Sequence, residues 1–305
     1  MTADPPGAWR VPRGEASWPA RLEHLHSPPH QLWVRGALPS PGAAAVAVVG
    51  SRRPTPGGLL SARDIGFQLA VAGIVVVSGL ARGIDAASHR GALDGRGCTV
   101  AVLGCGIDLC YPREHLPLRN LIAESGCVVS EDGGDAPPDT WRFPRRNRII
   151  AALAEAVIVV EASEKSGALS TARWAADLGR EVLAVPGSIR NASSRGSNLL
   201  IRDGARPFLE IGDLFESVPA LSRALVARSG PPPPGGSAAR AAPDDPGEDS
   251  VLRRVLDGIG ADPVHPDDLA AVLDLPAADL MAALTSLSLR GAITDVCGGR
   301  VARTF

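Results

Sequence analysis

The sequence predicts a doubly wound α/β domain on a Rossmann-like parallel sheet, followed by a small winged-helix domain. Three observations carry that expectation. Six short Val- and Ala-rich runs, residues 44–50, 74–79, 99–104, 127–131, 157–162 and 181–187, recur about every 25–30 residues with helical patterns between them. The runs are continuously apolar rather than alternating, as parallel strands covered on both faces are. Residues 229–249 are then rich in Pro, Gly and acids with nothing to pack, which reads as an extended linker between two domains.

Taken in order, residues 1–45 form a short N-terminal extension. Its first thirteen residues carry Pro and Gly where a signal peptide needs an apolar core, so a cytoplasmic protein is expected. The main domain spans 46–228. After its first strand, Leu59, Ala62, Ile65, Phe67, Leu69 and Ala70 crowd one side of a helix. Beyond the linker, the domain over 250–305 reads as three helices and a ribbon. Helix 250–259 places Val251, Leu252, Val255, Leu256 and Ile259 on one face; helices over 266–273 and 277–290 follow, then two strands around Gly298 and Gly299.

Composition narrows the function classes. Apolar residues make up 45% of 305, enough for a normal core, and no run approaches the ~18–20 apolar residues of a membrane helix. Five cysteines, an odd number without a CxxC pair, fit reduced thiols and give no metal-ligand spacing. The formal net charge is −2, so anion binding has to come from local clusters rather than a general field. Of 31 basic residues, 30 are arginine and one is Lys165, a skew that looks like codon bias, so the lone lysine marks either a place where arginine does not serve or chance.

Ligands of doubly wound sheets bind outside the carboxyl ends of the strands. The loops expected there carry Gly50, Ser51, Arg52 and Arg53; Gly79, Arg82 and Gly83; Arg142, Phe143, Arg145, Arg146, Asn147 and Arg148 opening a helix; and Lys165, Ser166, Gly167 and Thr171. Each loop pairs small residues with a cation or hydroxyl near a helix N-terminus, where free amides and the helix dipole favour anions. Glycine admits a phosphate to the backbone and arginine presents a planar fork to its oxygens. The first loop is not GxGxxG, no acid stands about 20 residues on, and no P-loop exists, which counts against a nucleotide cofactor. Several cationic loops along one edge suit a ligand with spaced phosphates, namely single-stranded nucleic acid, with Phe143 able to stack on a base. Asp85, Ser88 and His89 fall close together, but Asp85 is expected to cap its helix and no chemistry is assigned to them. Glu131 and Glu161 are expected to pair with arginines.

Val48-Val49-Gly50-Ser51-Arg52-Arg53-Pro54-Thr55 and Val77-Ser78-Gly79-Leu80-Ala81-Arg82-Gly83-Ile84-Asp85 resemble the DNA-processing protein A (DprA/Smf) family. The likeness continues through Tyr111-Pro112, Phe143-Pro144-Arg145-Arg146-Asn147-Arg148, and Lys165-Ser166-Gly167-Ala168-Leu169-Ser170-Thr171. It runs over roughly residues 18–216. The resemblance implies a cytoplasmic, non-enzymatic single-stranded-DNA-binding protein. Such a protein protects incoming DNA, loads RecA recombinase during natural transformation, and dimerises through the Rossmann-like domain without a cofactor. It implies that Ser51, Arg52, Arg53, the loop from Gly79 to Gly83, Phe143, Arg145 to Arg148 and Lys165 to Gly167 line the DNA groove. Three departures stand out. The helical N-terminal domain of many members is missing or vestigial here. Thr140, Trp141 and Arg142 stand where some members carry a lysine. The last domain has five Arg against seven Asp, which favours a protein contact over DNA for it. The alternative is a phosphoribohydrolase-like enzyme, whose PGGxGTxxE stretch is matched only by Pro186-Gly187-Ser188.

Overall fold

The computed structural model describes residues 7–221 without a break. Towards the C-terminus it describes 250–259, 264, 266–273, 275, 280, 283, 284, 287, 293–296 and 300–303. Two units divide at residues 230 and 231. The linker expected over 229–249 lies outside the described residues, as do Gly298 and Gly299.

The first unit is one nine-stranded sheet. In chain order its strands are β1 (Trp9–Pro12), β2 (Gln31–Gly36), β3 (Ala45–Val49), β4 (Val75–Ser78), β5 (Thr99–Val102), β6 (Cys127–Ser130), β7 (Ala156–Val159), β8 (Glu181–Ala184) and β9 (Arg206–Pro207). Their spatial order is β1-β2-β6-β5-β4-β3-β7-β8-β9. From β6 to β9 every pairing is parallel, with registers such as Val46↔Val76 and Ala47↔Val157. The chain builds outward from β3 to β6, then returns to set β7 on the other side of β3. That reversal opens a crevice between the carboxyl ends of β3 and β7.

The six expected runs are the six central strands. All five residues of β3 are buried, and alternate residues feed two cores. Ala45, Ala47 and Val49 join Val75, Val77, Val102 and Val159 beneath helices α4 (Arg142–Leu153) and α5 (Ala168–Asp177). Val46 and Val48 join Val76 and Ile158 beneath α1 (Pro56–Val71), α2 (Ile84–Asp94) and α7 (Ile211–Ser217). Near β5 and β6, Ala101, Leu103 and Val128 pack on α3 (Leu116–Ser125); α6 (Arg195–Arg202) follows β8. On α1 the buried residues are Ala62, Ile65, Gly66, Leu69 and Ala70, whereas Leu59 and Phe67 are exposed. Phe67 lies 200° round the helix from Ile65 at 100° per residue, so the two cannot share a face.

The sheet also starts earlier than residue 46. Within the first 45 residues, β1 pairs with β2 and β2 with β6, both antiparallel, Trp33 opposite Ser130. Leu32 and Val34 alternate into the core beside Leu22 of the short turn Ala20–His24 and Leu25 just after it. These residues are part of the domain rather than an extension to it.

The second unit has α8 (Ser250–Gly258), α9 (Pro266–Leu273), and β10 (Ile293–Val296) antiparallel to β11 (Arg300–Arg303). Leu252, Val255 and Ile259 are buried as expected. Of the helix expected over 277–290, Leu280, Ala283, Leu284 and Leu287 are helical and buried, and the rest lies outside the described residues. Val264 bridges to Val301, adding a third strand position to the ribbon. No helix among the described residues is long and apolar enough to cross a membrane.

Candidate nucleic-acid interface

The crevice is occupied by a cleft of about 740 Å³. Its walls are Gly50 to Arg53 after β3, Ala81 and Asp85 leading into α2, Tyr111 after β5, Thr140, Phe143, Pro144, Arg146 and Asn147 entering α4, Ser163, Ser166 to Ala168 and Thr171 after β7, and Ser193 after β8. Loops from six strand ends therefore converge on one volume.

Backbone bonds sew these loops together. The Ser51 amide donates to the Glu161 carbonyl at 2.6 Å, and the Ile84 amide to the Ser51 carbonyl at 3.1 Å. Gly83 holds φ at +78°, and a Cβ there would fall 2.3 Å from the Ser51 carbonyl oxygen, so only glycine lets the loops after β3 and β4 touch. Asn147 reaches from α4 to donate to Ser170 Oγ at 2.7 Å and the Gly167 carbonyl at 3.2 Å, fixing the start of α5. Ser166 Oγ accepts from the Ala168 amide, and Gly167, the N-cap, brings no capping side chain. The amide end of α5 thus opens on the cleft.

The first helix behaves differently. Thr55 caps α1 by accepting from the Gly58 amide, and Glu161 sits against the same end. Both Glu161 oxygens accept from the Thr55 amide at 3.2 Å, and the Thr55 hydroxyl donates to Oε2 at 2.8 Å. Glu161 is 4% exposed. A built-in carboxylate therefore fills the place where a mononucleotide phosphate would meet this helix, and it repels a second anion there. Glu161 satisfies α1 and pairs with no arginine among the described residues, contrary to the sequence expectation.

Charge around the cleft is sorted by pairing. Arg52, Arg53 and Lys165 are exposed and take part in no ion pair among the described residues. The Arg52 guanidinium lies 5.0 Å from the centroid of the Phe143 ring, and Tyr111 stands 5.6 Å from that ring at 42°. Phe143 is half-buried and lines the cleft, so it is a wall and not a core aromatic. Lys165 stands on the turn between two lining residues, Ser163 and Ser166.

The family profile described as DNA recombination-mediator protein A matches residues 10–219, and the DprA winged helix domain profile matches 237–299. The chain belongs to the DNA recombination-mediator protein A family. It is 36% identical over 292 residues to Protein Smf of Escherichia coli, covering 95% of this chain and 76% of the relative. It is 39% identical over 211 residues to DNA processing protein DprA of Bacillus subtilis, covering 68% and 71%. The solved structure of DprA from Streptococcus pneumoniae overlays with a TM-score of 0.65 at 38% identity, covering 68% of this chain and 73% of that one. A Helicobacter pylori DNA processing protein A, described for its single-stranded DNA binding mode, overlays with a TM-score of 0.62 at 29% identity, covering 70% and 96%. The second unit is accordingly a DprA-type winged helix.

Within this family member the expected site residues separate into groups. Gly50, Ser51, Arg52, Arg53, Phe143, Arg146, Asn147, Ser166, Gly167 and Thr171 line the cleft. Gly79 and Arg82 line a smaller adjoining pocket with Tyr111 and Phe143, and exposed Arg82 pairs with Glu114 at 2.5 Å. Arg142, Arg145 and Arg148 do not line either pocket. Arg145 and Arg148 pair with Glu131 at 2.9 and 2.7 Å, and Arg142 pairs with Asp132 and Asp139. Spaced by three, these three arginines share a side of α4 that faces the acids following β6. Glu131 does pair with arginines, as the sequence suggested.

Asp85 does not cap its own helix. Its Oδ2 accepts from the Gly79 and Ala81 amides at 3.2 and 3.3 Å, bracing the preceding loop. Ser88 donates to the Asp85 carbonyl, and His89 turns to Thr99, so no nucleophile and base face each other there. Pro186-Gly187-Ser188 is a clasp, Gly187 exchanging bonds with the Asn198 side chain at 3.0 and 2.9 Å. Sequence reasoning missed Tyr111, Thr140, Ser163 and Ser193 as lining residues. Tyr111 carried a signal in its place after a Gly-rich strand end; Ser193 carried none, because it arrives from a loop past the Pro-Gly pair.

Proposed function

We propose that this chain binds single-stranded DNA in the cleft and acts as a recombination mediator, protecting incoming strands and loading RecA recombinase during natural transformation. The observation that carries this reading is the set of three cations, Arg52, Arg53 and Lys165, in no ion pair among the described residues, around an aromatic wall of Phe143 and Tyr111, at a switch point whose usual nucleotide-phosphate helix end is filled by Glu161. Spaced cations beside an aromatic face suit a phosphate backbone with stacked bases better than a lone nucleotide. The single-stranded DNA binding mode of the Helicobacter pylori relative supports it. Membership of the family supports the mediator role, and the cytoplasmic setting, the homodimer through the Rossmann-like domain and a non-catalytic action are proposed with it.

Arg52→Ala together with Lys165→Ala weakens binding to a single-stranded oligonucleotide without lowering the melting temperature. In an anisotropy titration across a salt series, the slope of log affinity against log salt becomes shallower by ~1.4, or ~0.7 for each lost phosphate contact. The same variant fails to accelerate RecA assembly on that oligonucleotide. Salt-independent binding by the parent protein, or an unchanged slope in the variant, refutes the assignment. Phe143→Ala loses ~1–3 kcal/mol of binding at every salt concentration, the worth of one stacked base; an unchanged affinity returns the ring to a packing role.

A further inference from the structure

We propose that Trp141 is a second base-stacking platform, outside the cleft, that extends the path of the single strand across the start of α4. This rests on the cleft being the single-strand site. Trp141 is 54% exposed, although indole is the largest apolar side chain and is seldom left in water without a use. The other indoles are employed. Trp18 is buried and donates to Glu23, Trp33 packs on Gly133, Trp174 lies against the core, and Trp9 donates to the Gly36 carbonyl.

The ring is held in advance. The guanidinium carbons of Arg142 and Arg145 lie 4.6 and 5.4 Å from its centroid. Those two arginines are themselves anchored by Glu131, Asp132 and Asp139. A carboxylate-fixed pair of guanidiniums stiffens the indole, so little freedom remains to be lost when a planar ligand settles on it. The same carboxylates cancel the local positive charge. What the spot offers is therefore a flat face rather than a phosphate contact.

Its position points to a base. Pro138, Thr140, Phe143 and Pro144 all line the cleft, so Trp141 is set within one cleft wall. Trp141 and Phe143 are two residues apart at the start of α4 and project from opposite sides of that turn. A strand leaving Phe143 over the amide end of α4 would meet the indole next, with a phosphate between the two rings at the positive end of the helix. A protein hot spot would instead sit among other apolar groups that exclude water. Thr140 and Pro144 are the exposed residues next to it along the chain, and among the described residues no other large exposed apolar side chain lies between Leu121 and Ile189 in the sequence.

Anisotropy titrations of the full chain with oligonucleotides of about four and about sixteen nucleotides test this. Trp141→Ala is expected to lose about tenfold in affinity for the longer strand and nothing for the shorter one, with an unchanged salt slope, while Trp141→Phe keeps most of the affinity. Binding of the longer strand quenches indole fluorescence in the parent and much less in Trp141→Phe. Equal affinity of parent and Trp141→Ala at both lengths overturns the platform and leaves the indole to a protein contact, while the Arg52 and Lys165 double variant still shows its altered slope. If the parent binds neither strand, the cleft reading falls and the platform falls with it.

Discussion

Arg146→Met lowers the unfolding free energy by about 3–5 kcal/mol, the order of cost seen when one of two coupled buried charges is removed. Arg146 is 6% exposed. Its Nη1 donates to the Gly79 carbonyl at 2.8 Å and to the Val102 carbonyl, and Nε donates to Asn147 Oδ1 at 3.2 Å. The guanidinium thus ties the ends of β4 and β5 to α4. Gly79 makes room for it, since a Cβ there would stand 2.6 Å from Nη2. Burial pulls the Arg146 guanidinium down to about 10, against the opposing pull of Asp85, and burial pushes the Asp85 carboxyl up against the field of Arg146. Neither charge is comfortable alone. Methionine keeps most of the volume but strands two carbonyls and a buried carboxylate. Urea unfolding of the full chain measures the loss in the transition of the first unit. Asp85→Asn on the Arg146→Met background recovers part of it, because the stranded charge is gone while an amide oxygen still accepts from Gly79 and Ala81. Arg146→Lys does not recover it, since a point charge cannot span two strand ends and Asn147. A loss under 1 kcal/mol would show that the floor of the cleft does not depend on this side chain.

The helix period already carried this role for Arg146. Arg146, Ile149 and Ile150 are spaced i, i+3, i+4, the buried stripe of α4, so the arginine had to point inward with the isoleucines. Read as one cationic cluster, residues 142–148 lose that distinction. What no local pattern carries is which cation remains free. Arg148 finds Glu131 across 17 positions and Arg82 finds Glu114 across 32, pairings made only when β4, β5 and β6 lie side by side. The central strands were legible because strands covered on both faces must be apolar throughout. Strands β1 and β2 were not, because antiparallel strands near an edge bury alternate residues, and Trp-Arg-Val-Pro and Gln-Leu-Trp-Val-Arg-Gly read as loop. Lys165 gave the opposite case. A composition count alone singled it out, and it stands among the few uncompensated cations at the cleft.

Acidification from neutral pH destabilises the fold through His89, by about 3 kcal/mol at pH 4. His89 is 0% exposed, with Nδ1 2.7 Å from Thr99 Oγ1. The Thr99 hydroxyl spends its proton on the Val76 carbonyl at 2.8 Å, so it accepts from His89, and Nδ1 is the protonated nitrogen. Nε2 is then a bare acceptor, buried without a partner among the described residues. A second proton would place a cation in the core, near His115, Arg146 and Arg90; burial first and these charges second lower the imidazole to about 3. In the unfolded chain it titrates near 6.5. Above that value both states are neutral and stability is level. Below it the unfolded chain takes up a proton that the fold refuses, so stability falls by ~1.4 kcal/mol per pH unit until the folded group also titrates. Asp85 has the opposite sign, because its raised carboxyl is protonated in the fold before it is in the unfolded chain, which favours the fold on acidification. The parent curve therefore mixes the two, and the difference between parent and His89→Leu isolates the imidazole. That difference is expected to shrink steadily below pH ~6 in urea unfolding, since leucine takes up no proton in either state. A constant difference down to pH ~4 would show that the folded imidazole accepts its proton as readily as the unfolded one.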